Sequence, residues 1–196
     1  MEMKSLIIGI LLLPLSLMAS AGTWTVESDS SEVNFISIKK GDIAEVHHFN
    51  SIAGTLTDKG QFNFSIALAS VATNIDIRDE RMESLLFEVD KYPKLILKAY
   101  VDPKMLNSIA VGSVKVATVD AEVSLHGKKQ KMAFIVSIAK LSESHILVAS
   151  VAPIIVMADS FGLSAGVDKL REIAGLSAIS KAVPVSFMLN LKQQPK

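Results

Sequence analysis

Few side chains in this chain have the type and spacing needed for covalent chemistry. Gly162-Leu163-Ser164-Ala165-Gly166 matches the G-x-S-x-G turn that lifts a nucleophilic serine out of a strand-to-helix corner. An apolar run precedes it and a helix-like segment follows. The turn works only with a histidine base, which in that fold lies downstream of the serine, and the last histidine here is His145. Parallel βαβ periodicity is missing as well, so the motif reads as a glycine-flanked turn into a helix. The histidines His47, His48, His126 and His145 show no H-x-x-x-H or H-E-x-x-H spacing. His47 and His48 are adjacent, and on a strand they would face opposite sides. They read as surface or turn residues, and neither a metal site nor a cofactor is expected.

The densest charged cluster is Arg78, Asp79, Glu80, Arg81 and Glu83, at a helix start. Such a cluster usually forms a solvated helix face with internal ion pairs. The sharper alternative is a polar rim at a barrel mouth, where Arg78 and Asp79 could meet a ligand headgroup. No strand leads into a Gly-rich turn ending in Lys-Ser or Lys-Thr, and no carboxylates stand out as an acid and base couple.

The elements that would position these residues are mostly strands. Of 196 residues 49% are hydrophobic, which excludes disorder, while Cys is absent and aromatics reach only 6%. Without Cys there is no disulfide framework, thiolate metal site or Cys nucleophile. Balanced charge, 20 basic against 20 acidic residues, argues against nucleic acid as a partner. Phe62, Phe64, Ile66 and Leu68 alternate with more polar neighbours, as do Val119, Ala121, Val123 and Leu125. Val183, Val185, Phe187, Leu189 and Leu191 repeat the pattern near the end. A period of two marks strands with one dry face. Weaker strand runs are 23–26, 33–38, 52–57, 94–101, 131–139 and 145–156, with hairpin turns at Asp58-Lys59-Gly60 and His126-Gly127-Lys128.

Two segments have helical spacing: Asp76 to Phe87, with Asp76 and Asp79 placed to cap it, and Val167 to Leu176, ending at Gly175. Many antiparallel strands and two short helices predict a closed barrel or a sandwich. At the N-terminus, Lys4, the apolar run Leu6–Leu17 and Ala19-Ser20-Ala21 form a signal peptide over residues 1–21. Cleavage before Gly22 would leave one domain, residues 22–196, in the periplasm or secreted and not membrane-spanning.

A resemblance then becomes usable. Ile77-Arg78-Asp79-Glu80-Arg81-Met82, Leu86-Phe87 and Tyr92-Pro93 resemble the signature of the YceI-like polyisoprenoid-binding family. Trp24-Thr25-Val26, Ser31–Phe35, Gly54-Thr55-Leu56, Val123–Lys128 and Asp159–Leu163 fall in that family's order. Departures are Met157-Ala158 before Asp159, and Lys39-Lys40-Gly41 where the family has a histidine, unless His47 or His48 takes its place. The segment Gly166 to Ser180 is longer than in many members. The resemblance implies a mainly β, eight-stranded antiparallel lipocalin-like barrel enclosing a polyisoprenoid, a quinone tail or a fatty amide. It also implies export, a possible homodimer, and wall positions at Phe35, Phe87 and Phe161.

The composition points the same way. Small barrels either fill their interior with side chains or hold a ligand. Filling favours large aromatics, whereas this chain is rich in Val, Ile, Ala, Leu and adaptable Met, which suit a narrow apolar tunnel. The dry faces nominate Phe62, Phe64, Ile66 and Leu68, then Leu95 and Leu97, as wall residues. Val123, Leu125, Phe134, Val136, Val185 and Phe187 complete the set. The leading expectation is a non-enzymatic carrier or sensor of an apolar lipid. The alternative is a ligand-free structural or interaction module with a filled core and a dimer face, since 131–139 and 149–157 are apolar on both sides.

Overall fold

A computed structural model describes residues 22–193, so the expected leader at 1–21 lies outside the described residues. The strands are β1 (Trp24–Val26), β2 (Glu32–Lys39), β3 (Ile43–Phe49), β4 (Ile52–Leu56), β5 (Gln61–Ala67) and β6 (Val71–Ala72). They continue with β7 (Lys94–Tyr100), β8 (Val114–Leu125), β9 (Lys128–Ser142), β10 (His145–Ser150), β11 (Ile154–Met157) and β12 (Ala182–Gln193). Neighbours run β1-β4-β5-β7-β8-β9-β10-β12, and β12 returns to β1, closing an eight-stranded antiparallel barrel. The lower-numbered half of β12 extends past the closure, pairing with β11 on one side and β2 on the other; β3 and β6 follow β2. Closure leaves those eight strands few free edges.

Alternation sets the register. Phe64 pairs with Leu97 and Leu97 with Val123, so the dry faces of β5, β7 and β8 turn to one side together. The β8–β9 hairpin turns on His126 and Gly127, with φ of 49° and 71°, as a two-residue turn with positive φ requires. Helix α1 (Asp76–Arg81) runs into a π-helical segment, Met82–Phe87, and α3 (Ser164–Ile173) packs against that segment. Together they cover one end of the barrel. The short helix α2 (Pro103–Asn107) lies at the other end, started by Asp102, whose carboxylate accepts from the Lys104 amide at 2.9 Å.

Several expectations need correction. Strand β3 was not anticipated, because its inner face reads Glu45, His47, Phe49 and lacks apolar alternation. The run 145–156 is two strands, broken at Val151-Ala152-Pro153. Asp76 and Asp79 do not cap α1, which starts after Ile75 without a side-chain cap; Asp79 instead accepts from the Thr73 amide at 3.0 Å. Helix α3 begins at Ser164, which puts Gly166 inside it, although Gly175, at φ 62°, does follow its end. α2 is a further helix beyond the two expected.

Gly166 is inside α3 for a packing reason. A Cβ there would lie 2.7 Å from the Leu85 carbonyl oxygen and 2.8 Å from the Leu86 Cα, both backbone atoms of the π-helical segment. Gly166→Ala should therefore separate the two helical pieces and cost about 1–3 kcal/mol, despite alanine's better helix propensity. Urea unfolding would measure this, and a stabilised variant would show that the helices are not in close contact.

Candidate functional site

The inner face of the barrel does not close on itself. A cavity of about 250 Å³ runs from the helical cover to α2, and every residue lining it is apolar. At the covered end it meets Met82, Leu86, Phe87, Phe161, Leu163 and Val167; at the α2 end it meets Leu56, Val101, Leu106, Ile146 and Leu191. The cover is tight: Leu68 and Phe161 are 0% and 1% exposed.

All fifteen residues nominated as wall line this cavity: Phe35, Phe62, Phe64, Ile66, Leu68, Phe87, Leu95, Leu97, Val123, Leu125, Phe134, Val136, Phe161, Val185 and Phe187. Others were missed. Val119, Leu189 and Leu191 sit on alternations already recognised, and Met82 and Leu86 on the recognised helical spacing, so their signal was present. Phe49 belongs to the unanticipated β3, and Leu106 to the unanticipated α2.

Arg78 and Asp79 come together beside the cover but do not line the cavity. The Arg78 guanidinium donates to the Thr73 hydroxyl at 2.7 Å, the Thr73 carbonyl at 2.6 Å and the Glu45 carboxylate at 2.5 Å. Asp79 accepts from the Thr73 amide and hydroxyl. Glu45 also takes Lys39 at 2.7 Å. This is a lock tying α1 to β3 and to the end of β6, and each of the three Arg78 guanidinium nitrogens donates within it.

His47 corrects the surface reading of the histidines, being 3% exposed. It pairs across the sheet with Phe35, ring centroids 5.2 Å apart, and its Nε2 lies 2.8 Å from the Ser37 hydroxyl. Its Nδ1 is buried and has no hydrogen-bond partner among the described residues. His126 bonds Glu88 at 2.9 Å and packs on Tyr92, and His145 bonds Asn190 at 3.0 Å. Ser164 donates its hydroxyl to Asp159, a carboxylate, where a serine nucleophile would need a histidine. No group of side chains suited to a metal ion occurs among the described residues.

An antiparallel barrel closed around one continuous apolar interior defines a lipocalin-like protein with room for a guest. The chain belongs to the YceI-like domain family, whose pattern it matches over residues 24–191. It is similar to the polyisoprenoid binding domain from Saccharophagus degradans implicated in plant cell wall breakdown. Identity is 32%, with 87% of this chain and 98% of that one covered and a TM-score of 0.85. Burkholderia cenocepacia BcnA shares the fold at 14% identity and a TM-score of 0.66, over 84% of this chain and 98% of its own. A mutant CJ YceI protein does so at 11% identity and a TM-score of 0.55, over 76% and 85%. No curated protein sequence matches the chain.

The lock has a pH signature. Burial, followed by the Arg78 cation, holds His47 below the ordinary value of 6.5, with Glu45 pulling the other way. The hydrogen bond from Lys39 leads in holding Glu45 below 4.5, opposed by burial and aided by Arg78. In both cases the unfolded chain binds more protons than the folded one, so stability falls as pH drops. The His47 contribution begins near pH 6.5 and that of Glu45 below 4.5. His47→Leu should flatten the fall in melting temperature between about pH 7.5 and about pH 5. A slope equal to wild type would assign it to other groups.

Proposed function

We propose that this chain is an exported, non-enzymatic carrier or sensor that holds a long apolar lipid inside its barrel. The candidate classes are a polyisoprenoid, a quinone or a fatty amide. One observation carries the reading: the interior is an open, wholly apolar cavity running the length of the barrel. At ~24 cal/mol per Å³, leaving about 250 Å³ unfilled forgoes about 6 kcal/mol of packing. That is comparable with the whole net stability of a typical domain, about 5–15 kcal/mol. A chain selected only to fold would fill the space, so the filled-core alternative loses its main support.

The energetics favour a chain-like guest. Each buried methylene is worth ~0.8 kcal/mol, so one five-carbon isoprene unit contributes about 3–4 kcal/mol before ordering costs. A few units reach micromolar affinity without any polar contact. The similarity to a polyisoprenoid binding domain supports the same class of guest, and the leader pattern at residues 1–21 supports export to the periplasm or beyond. A homodimer belongs to the reading too. Val114 and Val116 of β8, Ile135 of β9, Val151, and Ile155 of β11 are exposed on the outer face, where a second copy would cover them.

Mass spectrometry of solvent extracts from native protein should find a stoichiometric prenyl or acyl species. An empty extract, together with failure to take up labelled isoprenoids, would defeat the carrier reading. Ala99→Phe and Ala121→Phe, both at cavity-lining positions, should cut uptake at least about tenfold while the barrel stays folded by circular dichroism. Unchanged uptake in both folded variants would place the guest elsewhere.

A further inference from the structure

The two ends of the cavity are built differently. At the helical cover, Leu68, Phe87, Phe161 and Val167 are buried, and the backbone of α3 touches that of the π-helical segment at Gly166. One polar cluster beside the cover, Arg78, Glu45, Thr73 and Asp79, is engaged within itself. The buried His47 Nδ1, which has no partner among the described residues, belongs to a residue that packs on Phe35 and does not line the cavity. At the opposite end the stopper is α2, five residues long, with none of them fully buried.

Immediately outside α2 lies a second, mostly polar depression. Its walls include Trp24, Thr57, Asp58, Asn107, Lys140 and Glu143. Leu106 and Ile146 line both this depression and the apolar cavity, so two side chains form the partition between them. An amphiphile needs this sequence of surroundings: apolar depth for the chain, a narrow apolar collar, then hydrogen-bonding groups in contact with water.

We propose that the α2 end is the portal of the barrel, with Leu106 and Ile146 as its gate and the polar depression as the headgroup subsite. The guest lies with its tail under the helical cover and its head beside Trp24. The subsite takes an uncharged hydrogen-bonding head, a carbonyl, hydroxyl or amide. Its one lysine, Lys140, is paired with Glu143 at 2.7 Å, and Asp58 balances the amine that cleavage would leave on Gly22, so a diphosphate would find no net positive charge to offset its desolvation. This inference rests on the carrier reading and adds the direction of the guest and the chemistry of its head.

Trp24 is the chain's single tryptophan, so the unmodified protein carries its own probe at the proposed portal. Menaquinone-4 joins a fluorescence-quenching quinone head to a geranylgeranyl tail, and squalene is a headless hydrocarbon. With both shown to load, menaquinone-4 should quench most of the Trp24 emission and squalene should not. Stoichiometric loading of menaquinone-4 with unquenched Trp24 would put the head at the other end and overturn the portal alone. Loading of neither compound, together with an empty solvent extract of the native protein, would instead remove the carrier reading, and the portal with it.

Gate and head chemistry have their own readouts. Leu106→Ala should speed release of menaquinone-4 into phosphatidylcholine vesicles about tenfold, the equivalent of ~1.4 kcal/mol, whereas Leu86→Ala at the covered end should not. The reverse order would overturn the gate. Geranylgeranyl diphosphate should compete for the site at least about tenfold more weakly than geranylgeraniol. Equal or tighter competition by the diphosphate would overturn the assignment of an uncharged head.

Discussion

Barrel closure through β12 is the constraint on which the rest of the structure depends. This strand pairs on one side with β10 and then β11, and on the other with β1 and then β2. It therefore fixes the register of four partners at once. Its inner residues Val185, Phe187, Leu189 and Leu191 line the cavity along its length. Because side chains alternate, a one-residue slip at β12 would turn that row outward and carry polar residues such as Ser186 and Asn190 inside. The apolar character of the whole tunnel is thus a consequence of register as much as of composition.

A barrel closed by strands still has open ends, and strands cannot close them. The covered end is closed by the π-helical segment. Hydrogen bonding from i to i+5 widens its turn, so Met82, Leu86 and Phe87, four and five residues apart, can share the face that looks down the barrel. An α-helical turn would spread the same residues over a wider arc. The wider turn also presents its backbone to α3, where only glycine at position 166 allows the approach. The charged lock between Arg78, Glu45, Thr73 and Asp79 then holds α1 to the sheet, which makes the mixed-charge cluster a fastening of the cover.

Much of the barrel was legible in the sequence, and every residue nominated for its wall lines the cavity, for a simple reason. A strand with one dry face states both its conformation and its orientation, so Phe62, Phe64 and Ile66 could be assigned inward before any pairing was known. The illegible parts are those where the inner face is polar or the partner is distant. β3 puts Glu45 and His47 inward, so it carries no apolar alternation. Arg78 finds Glu45 at a separation of 33 residues, which local spacing cannot show. Helix α2 is too short for periodicity to register, and only Pro103 after Asp102 hints at it.

An interior built entirely from apolar side chains also limits how such a protein could choose among guests. In a hydrophobic pocket one methylene more or less changes affinity by only about 1–3 kcal/mol, and no buried donor or acceptor penalises a wrong functional group. Within the tunnel, discrimination would rest on length and on the bends the walls allow. Sharper selection needs polar groups, and beside the helical cover Arg78, Glu45, Thr73 and Asp79 are already committed to one another. Discrimination between heads would therefore fall to groups outside the tunnel, beyond Leu106 and Ile146, where Thr57 and Asn107 face solvent rather than the interior. A tunnel of this kind would accept many chains of similar length and leave the choice of molecule to its mouth.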